Sequence, residues 1–95
     1  SSFKLVPLNG VYAVWVYIDK IIHPGMLNIG YNPTFEDNKW NIEVHVFDFN
    51  ENVYHKQISV EFVARHRSEQ KFDSADSLIK ALRMDEKKIR EILEV

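Results

Sequence analysis

Cysteine is absent from the 95 residues, which removes disulfides, zinc-thiolate sites and thiol catalysis together. Glycine occurs only three times, and neither GxxxxGK[ST] nor GxGxxG is present, so the two common phosphate-cradling loops are excluded. There is no GxSxG elbow for a serine nucleophile. No apolar run approaches the roughly 20 residues of a membrane helix, and the N-terminus lacks the charged-then-apolar layout of a signal peptide. The expectation is a soluble chain of the cytoplasm with no membrane partner. An excess of positive charge is also missing. Twelve Lys and Arg face fourteen Asp and Glu, for a net charge of −2, which gives no field to hold a phosphate backbone, so nucleic acid is not an expected partner. The four histidines form no i, i+4 pair and have no carboxylate at ligand spacing, so no metal is expected to be held within this chain.

What is present suits one globular domain: 45% hydrophobic, 13% aromatic and 27% charged residues. A chain this short buries only about two-thirds of its unfolded surface, so the core is modest. Val11 to Ile18 is β-branched, aromatic and apolar on both faces, as in a strand covered on two sides. Asp19-Lys20 makes a tight turn, and Pro24-Gly25 is hostile to a helix, so the strand is expected to resume from Met26 to Gly30. Tyr31 to Lys39 reads as a loop, Asn41 to Phe49 as the central strand, and Gln57 to Ala64 as a half-buried strand. The period then lengthens. Asp73 and Ser74 are N-cap residues for a helix over Ala75 to Leu82, and Met84-Asp85 interrupts it before a second helix from Glu86 to Leu93. Strands first and helices last define an α+β domain, most simply a small antiparallel barrel with helices packed on it.

Three stretches carry candidate chemistry. In Asn41 to Phe49, Ile42, Val44 and Val46 alternate with Asn41, Glu43 and His45. A carboxylate fixed on a strand beside an imidazole suits general-base work, and equally the polar face simply meets water. In Asn28 to Phe35, Gly30, Pro33 and the side-chain amides shape a tight backbone that is either a ligand loop or an ordinary connection. Arg65, His66 and Arg67 form a basic cluster at a strand end, suited to an anion or to plain solvation.

Taken in order, GVYAVWV from Gly10, NIGYNPTF from Asn28, IEVHVFDF from Ile42, VYHK from Val53, RSEQKFDS from Arg67 and LIKALRMD before the last helix resemble the riboflavin kinase domain of bacterial bifunctional riboflavin kinase/FAD synthetases. The resemblance covers nearly the whole of residues 1–95. It implies a six-stranded antiparallel Greek-key barrel with C-terminal helices, and phosphorylation of riboflavin to FMN by ATP with Mg²⁺, within a parent enzyme that also adenylylates FMN to FAD. By the same resemblance Glu43 matches the catalytic base. Asn28, Gly30, Pro33 and Thr34 border the nucleotide and flavin sites, Asp48, Val53 and Tyr54 flank the adenine side, and Arg67 lies near the isoalloxazine. Two departures accompany it. The family's GxxLGxPTAN segment, whose Thr and Asn bind Mg²⁺ and the ATP phosphates, normally precedes the GVYAV strand, and Pro33-Thr34 belongs instead to the later motif. The usual YGK reads Tyr54-His55-Lys56. The chain is therefore expected to be a partial domain that lacks its first strand and phosphate loop, phosphorylates weakly or not at all alone, and exposes a barrel edge open to dimerisation. The competing reading is a non-catalytic β-barrel for binding or assembly.

Overall fold

A computed structural model describes residues 8–33, 38–51 and 56–95, with backbone only for 31–33 and 38–39. Four antiparallel strands and one helix follow in chain order: β1 (Gly10–Ile18), β2 (Ile21–Pro33), β3 (Asn38–Val46), β4 (Ile58–Arg67) and α1 (Ala75–Leu93). The sheet order is β3-β2-β1-β4. The fold is thus mainly β with a C-terminal helix, as expected, and is compatible with a small barrel.

β1 lies at the centre because its sequence tolerates burial on both sides. Val11 and Ala13 face one layer with Met26, Phe47, Ile89 and Leu93, while Tyr12, Val14, Val16 and Ile18 face another with Leu27 and Ile29. Asp19 and Lys20 take φ of 50° and 70°, the left-handed pair of a two-residue hairpin whose twist matches the strands it joins. The register Ile18↔Ile21 follows from that turn.

Four expectations are corrected. β2 does not wait for Met26: it runs through Pro24-Gly25, with Pro24 opposite Trp15 and its carbonyl accepting from the Phe47 amide at 2.9 Å. Proline is helix-hostile but strand-compatible where its missing N–H leaves no gap in the ladder. Gly25 fits there because a side chain would meet the His45 carbonyl and the Val16 methyl, each at 2.9 Å. Second, the stretch read as the central strand is an edge of the described sheet, and it ends at Val46, with Phe47 and Asp48 forming a turn. Third, β4 extends to Arg67 and does not alternate regularly. Its register slips between Ala13 and Val14, where Phe62 and then Ala64 find partners, and again between Val11 and Tyr12, where Arg67 and then Arg65 do. The two slips skip Val63 and His66, and each re-aims the side chains beyond it.

Fourth, the two expected helices are one. Ser74 caps it, its Oγ accepting the Ser77 amide at 3.1 Å, and Glu94 closes it in the left-handed conformation at φ 61°. The helix passes through Asp85 without a break because that carboxylate is occupied by side chains of β4 and does not compete for its own backbone. Ile89 and Leu93 seat the C-terminal half on Val11, Ala13 and Met26. Neither α1 nor any other helix among the described residues is long and apolar enough to cross a membrane.

Candidate active site

The period of two places Glu43 and His45 on the same side of β3. The antiparallel register sets Glu43 opposite Asn28 and His45 opposite Met26. Asn28 in turn lies opposite Val11 on β1, and Val11 opposite Arg67 on β4. Four strands thereby bring four side chains into one row on the face that α1 covers. Above this row, the connection from β4 to α1 supplies Glu69, Gln70 and Phe72, and the first half of α1 supplies Leu78 and Leu82. Between them lies a cavity of about 350 Å³.

Its walls are chemically divided. Val11, Met26, Phe72, Leu78 and Leu82 form an apolar side, and Asn28, Glu43, His45, Arg67, Glu69 and Gln70 a polar one, interrupted on β3 by Val44. That division suits a ligand with a flat hydrophobic body and a hydroxylated tail. Glu43 makes no hydrogen bond or ion pair with the other described residues. Other carboxylates are engaged: Glu61 accepts from the Tyr17 hydroxyl, Glu86 and Asp48 from Arg90, and Asp19 from Lys56. The bond to Glu61 is the main reason the Tyr17 phenol is raised above its ordinary value.

Among the described residues Asp85 is the one buried charge, 3% exposed. Its Oδ1 accepts from Arg67 Nε at 2.8 Å and lies 3.1 Å from His66 Nε2, and its Oδ2 accepts from Arg67 Nη2 at 2.7 Å. This is the two-pronged geometry in which arginine binds carboxylate most strongly. The bonds to Asp85 raise the Arg67 guanidinium above its ordinary value against the opposing effect of burial. Arg67 Nη1 also donates to the Ser68 carbonyl at 3.0 Å, and the guanidinium lies 5.9 Å from the Phe72 ring centre.

The basic cluster therefore does not act as three free cations. Arg67 and His66 converge on Asp85, while Arg65 donates to the Asn9 carbonyl. Of the residues singled out in the sequence, Asn28, Glu43 and Arg67 meet at the cavity. Gly30 sits one pair further along β2, and a side chain there would collide with the Glu69 carboxylate. Asp48 lies apart from the lining, at φ 56° in the turn after β3, tied to Arg90 at 2.9 Å. Pro33 is described by its backbone as the last residue of β2. Thr34, Val53 and Tyr54 lie outside the described residues. Sequence reasoning missed Glu69, Gln70, Phe72, Leu78, Leu82 and Asp85. Their signal was the RSEQKFDS and LIKALRMD stretches, which carry no alternation of their own and acquire meaning only when α1 folds back over the sheet.

An antiparallel sheet with one helix folded over a divided cavity defines a small β domain with a pocket of ligand size. Within that class the chain matches the riboflavin kinase family, Flavokinase, over residues 2–93, and it belongs to that family. The bifunctional riboflavin kinase/FMN adenylyltransferase of Bacillus subtilis is 39% identical over 88 residues, covering 90% of this chain and 28% of that protein. Human riboflavin kinase is 32% identical over 89 residues, covering 92% of this chain and 57% of its own length. A crystal structure described as a macrolide-efflux protein from Streptococcus pneumoniae superposes with a TM-score of 0.84 at 38% identity, over 90% of this chain and 28% of that one. This chain thus spans between about a quarter and just over half of these relatives.

Proposed function

We propose that this domain binds riboflavin in the cavity between β3 and α1, and that the protein carrying it transfers the γ-phosphoryl group of ATP to the ribityl 5′-hydroxyl, giving FMN in the cytoplasm. The observation that carries this reading is the carboxylate of Glu43, which bonds to no other described residue and stands on the polar side of a cavity whose other side is apolar. The apolar wall of Phe72, Leu78 and Leu82 receives the isoalloxazine, and Asn28 and Glu43 receive the ribityl tail. Glu43 takes the hydroxyl proton as that oxygen forms its bond to phosphorus, and the bond from phosphorus to the bridging oxygen breaks to release ADP. Phosphoryl transfer depends mainly on positioning and charge neutralisation, so the protein's part is to hold and deprotonate the acceptor.

The residues present do not fit a metal site: among those described, no three His, Asp or Glu side chains group to hold an ion. Other parts of the protein hold the nucleotide phosphates and any Mg²⁺ bound with them. That assignment agrees with the resemblance, which puts the phosphate-binding Thr and Asn in a segment ahead of the GVYAV strand.

The test is fluorescence. Riboflavin added to the full-length protein is expected to be quenched saturably, and Leu82→Glu, which sets a charge on the apolar wall, is expected to abolish the quenching. Saturable binding that Leu82→Glu leaves intact would place the flavin elsewhere, and absence of binding by the full-length protein would remove the functional reading.

A further inference from the structure

We infer that Asp85 is a positioning residue for the flavin cavity, acting through Arg67; the inference rests on the riboflavin reading above. The buried residues of α1 are Asp85, Ile89 and Leu93, all in its C-terminal half. Before Asp85 the helix buries nothing fully: Leu78, Ile79 and Leu82 are each at least 40% exposed. Yet Leu78 and Leu82 form part of the cavity wall. A wall made of a helix half that buries little needs an anchor other than the hydrophobic effect.

The pair between Asp85 and Arg67 is that anchor. Asp85 falls three residues after Leu82 and seven after Leu78, so all three lie on one face of the helix. Arg67 ends β4. Bridging the two closes a ring of chain, residues 67–85, that contains six of the twelve residues lining the cavity, Arg67 itself with Glu69, Gln70, Phe72, Leu78 and Leu82. Within the ring, the side-chain hydrogen bonds of Asp73, Ser74 and Ser77 are local to the start of the helix and hold nothing to the sheet. The Glu69 carboxylate lies against the bare backbone of Gly30. Both Asp85 oxygens are used, and two planar groups meeting along two bonds fix direction as well as distance. Asp85 does not itself line the cavity. It sets the azimuth at which the helix presents its leucines and the path by which residues 68–72 cross the opening.

The experiment uses the full-length protein with Asp85→Asn, Arg67→Met and the double variant, and measures riboflavin Kd, KM for ATP and kcat. Each single variant is expected to weaken riboflavin about tenfold or more, the scale of a lost charged hydrogen-bonding pair. In Asp85→Asn, whose side chain does not line the cavity, KM for ATP and kcat at saturating riboflavin should stay near wild type. The double variant should be little worse than either single one, because the two residues act as a unit. Amide hydrogen exchange supplies a readout that needs no flavin: residues 75–84 are expected to lose protection in Asp85→Asn while 86–93 keep theirs. Uniform loss across the helix, or equal weakening of riboflavin and ATP, would show that Asp85 serves general stability and overturn the inference. So would an unchanged riboflavin Kd. A wild-type protein that fails to bind riboflavin would instead sink the functional reading, leaving the exchange result to judge the anchor by itself.

Discussion

Glu43→Gln in the full-length protein is expected to lower kcat for riboflavin phosphorylation by about 10²–10⁴-fold, the range that a positioned general base contributes. Riboflavin affinity should change little, because an amide keeps the size and hydrogen-bonding reach of the carboxylate and loses only the ability to take a proton. Steady-state kinetics should therefore show the loss in kcat with KM for riboflavin preserved, the mark of an interaction made only in the transition state. Glu61→Gln is the control. Glu61 is also a strand carboxylate, but it stands apart from the cavity lining and is occupied by Tyr17, so its loss should leave kcat unaltered. Near-wild-type turnover in Glu43→Gln would refute the proton-accepting role.

Phe47→Ala is expected to cost about 3–5 kcal/mol in unfolding free energy. Phe47 is 2% exposed and lies in the layer where Val11, Ala13 and Met26 of the sheet meet Ile89 and Leu93 of α1. The Arg90 guanidinium sits over its ring at 4.9 Å, and the His45 ring meets it edge-on at 5.5 Å. Removing the ring leaves a cavity that a sheet and a helix held from both ends cannot collapse to fill. It also deprives Arg90 of its platform, loosening the arm that reaches Asp48. Urea unfolding of wild type and variant checks the figure, and Phe47→Leu should recover most of the loss. A change no larger than the ~0.5 kcal/mol of an ordinary surface substitution would contradict a core role for the ring.

These two residues stand close together in a stretch whose meaning was only half legible. Alternation separated Glu43 from Ile42 and Val44, and the structure keeps that separation. It did not show which residues would reach the cavity: Glu43, Val44 and His45 all line it while remaining exposed at the sheet edge, and Ile42, 64% exposed, stands outside the lining. The hairpin at Asp19-Lys20 was readable because two residues between apolar runs leave few turn types available. β1 was readable because burial on both faces leaves a continuous apolar run. Local signals failed where a distant partner decides the outcome. Asp85 looks like a helix breaker or cap until Arg67 is placed beside it. Pro24-Gly25 looks like a stretch ahead of the strand until the Phe47 amide is seen to use the Pro24 carbonyl. The slips in β4 are invisible to alternation because they are a property of pairing with β1, and they decide that Arg67 faces the cavity beside Val11.

Everything proposed for the site depends on riboflavin lying on the α1 side of the sheet, with its ring system against the helix. Intermolecular NOEs from the flavin ring protons and methyl groups to the full-length protein measure this directly. Contacts are expected to Phe72, Leu78 and Leu82, with Asn28 and Glu43 shifting as the ribityl chain enters. Contacts to Tyr12, Phe62 or Ile42, on the opposite face of the sheet, would contradict it.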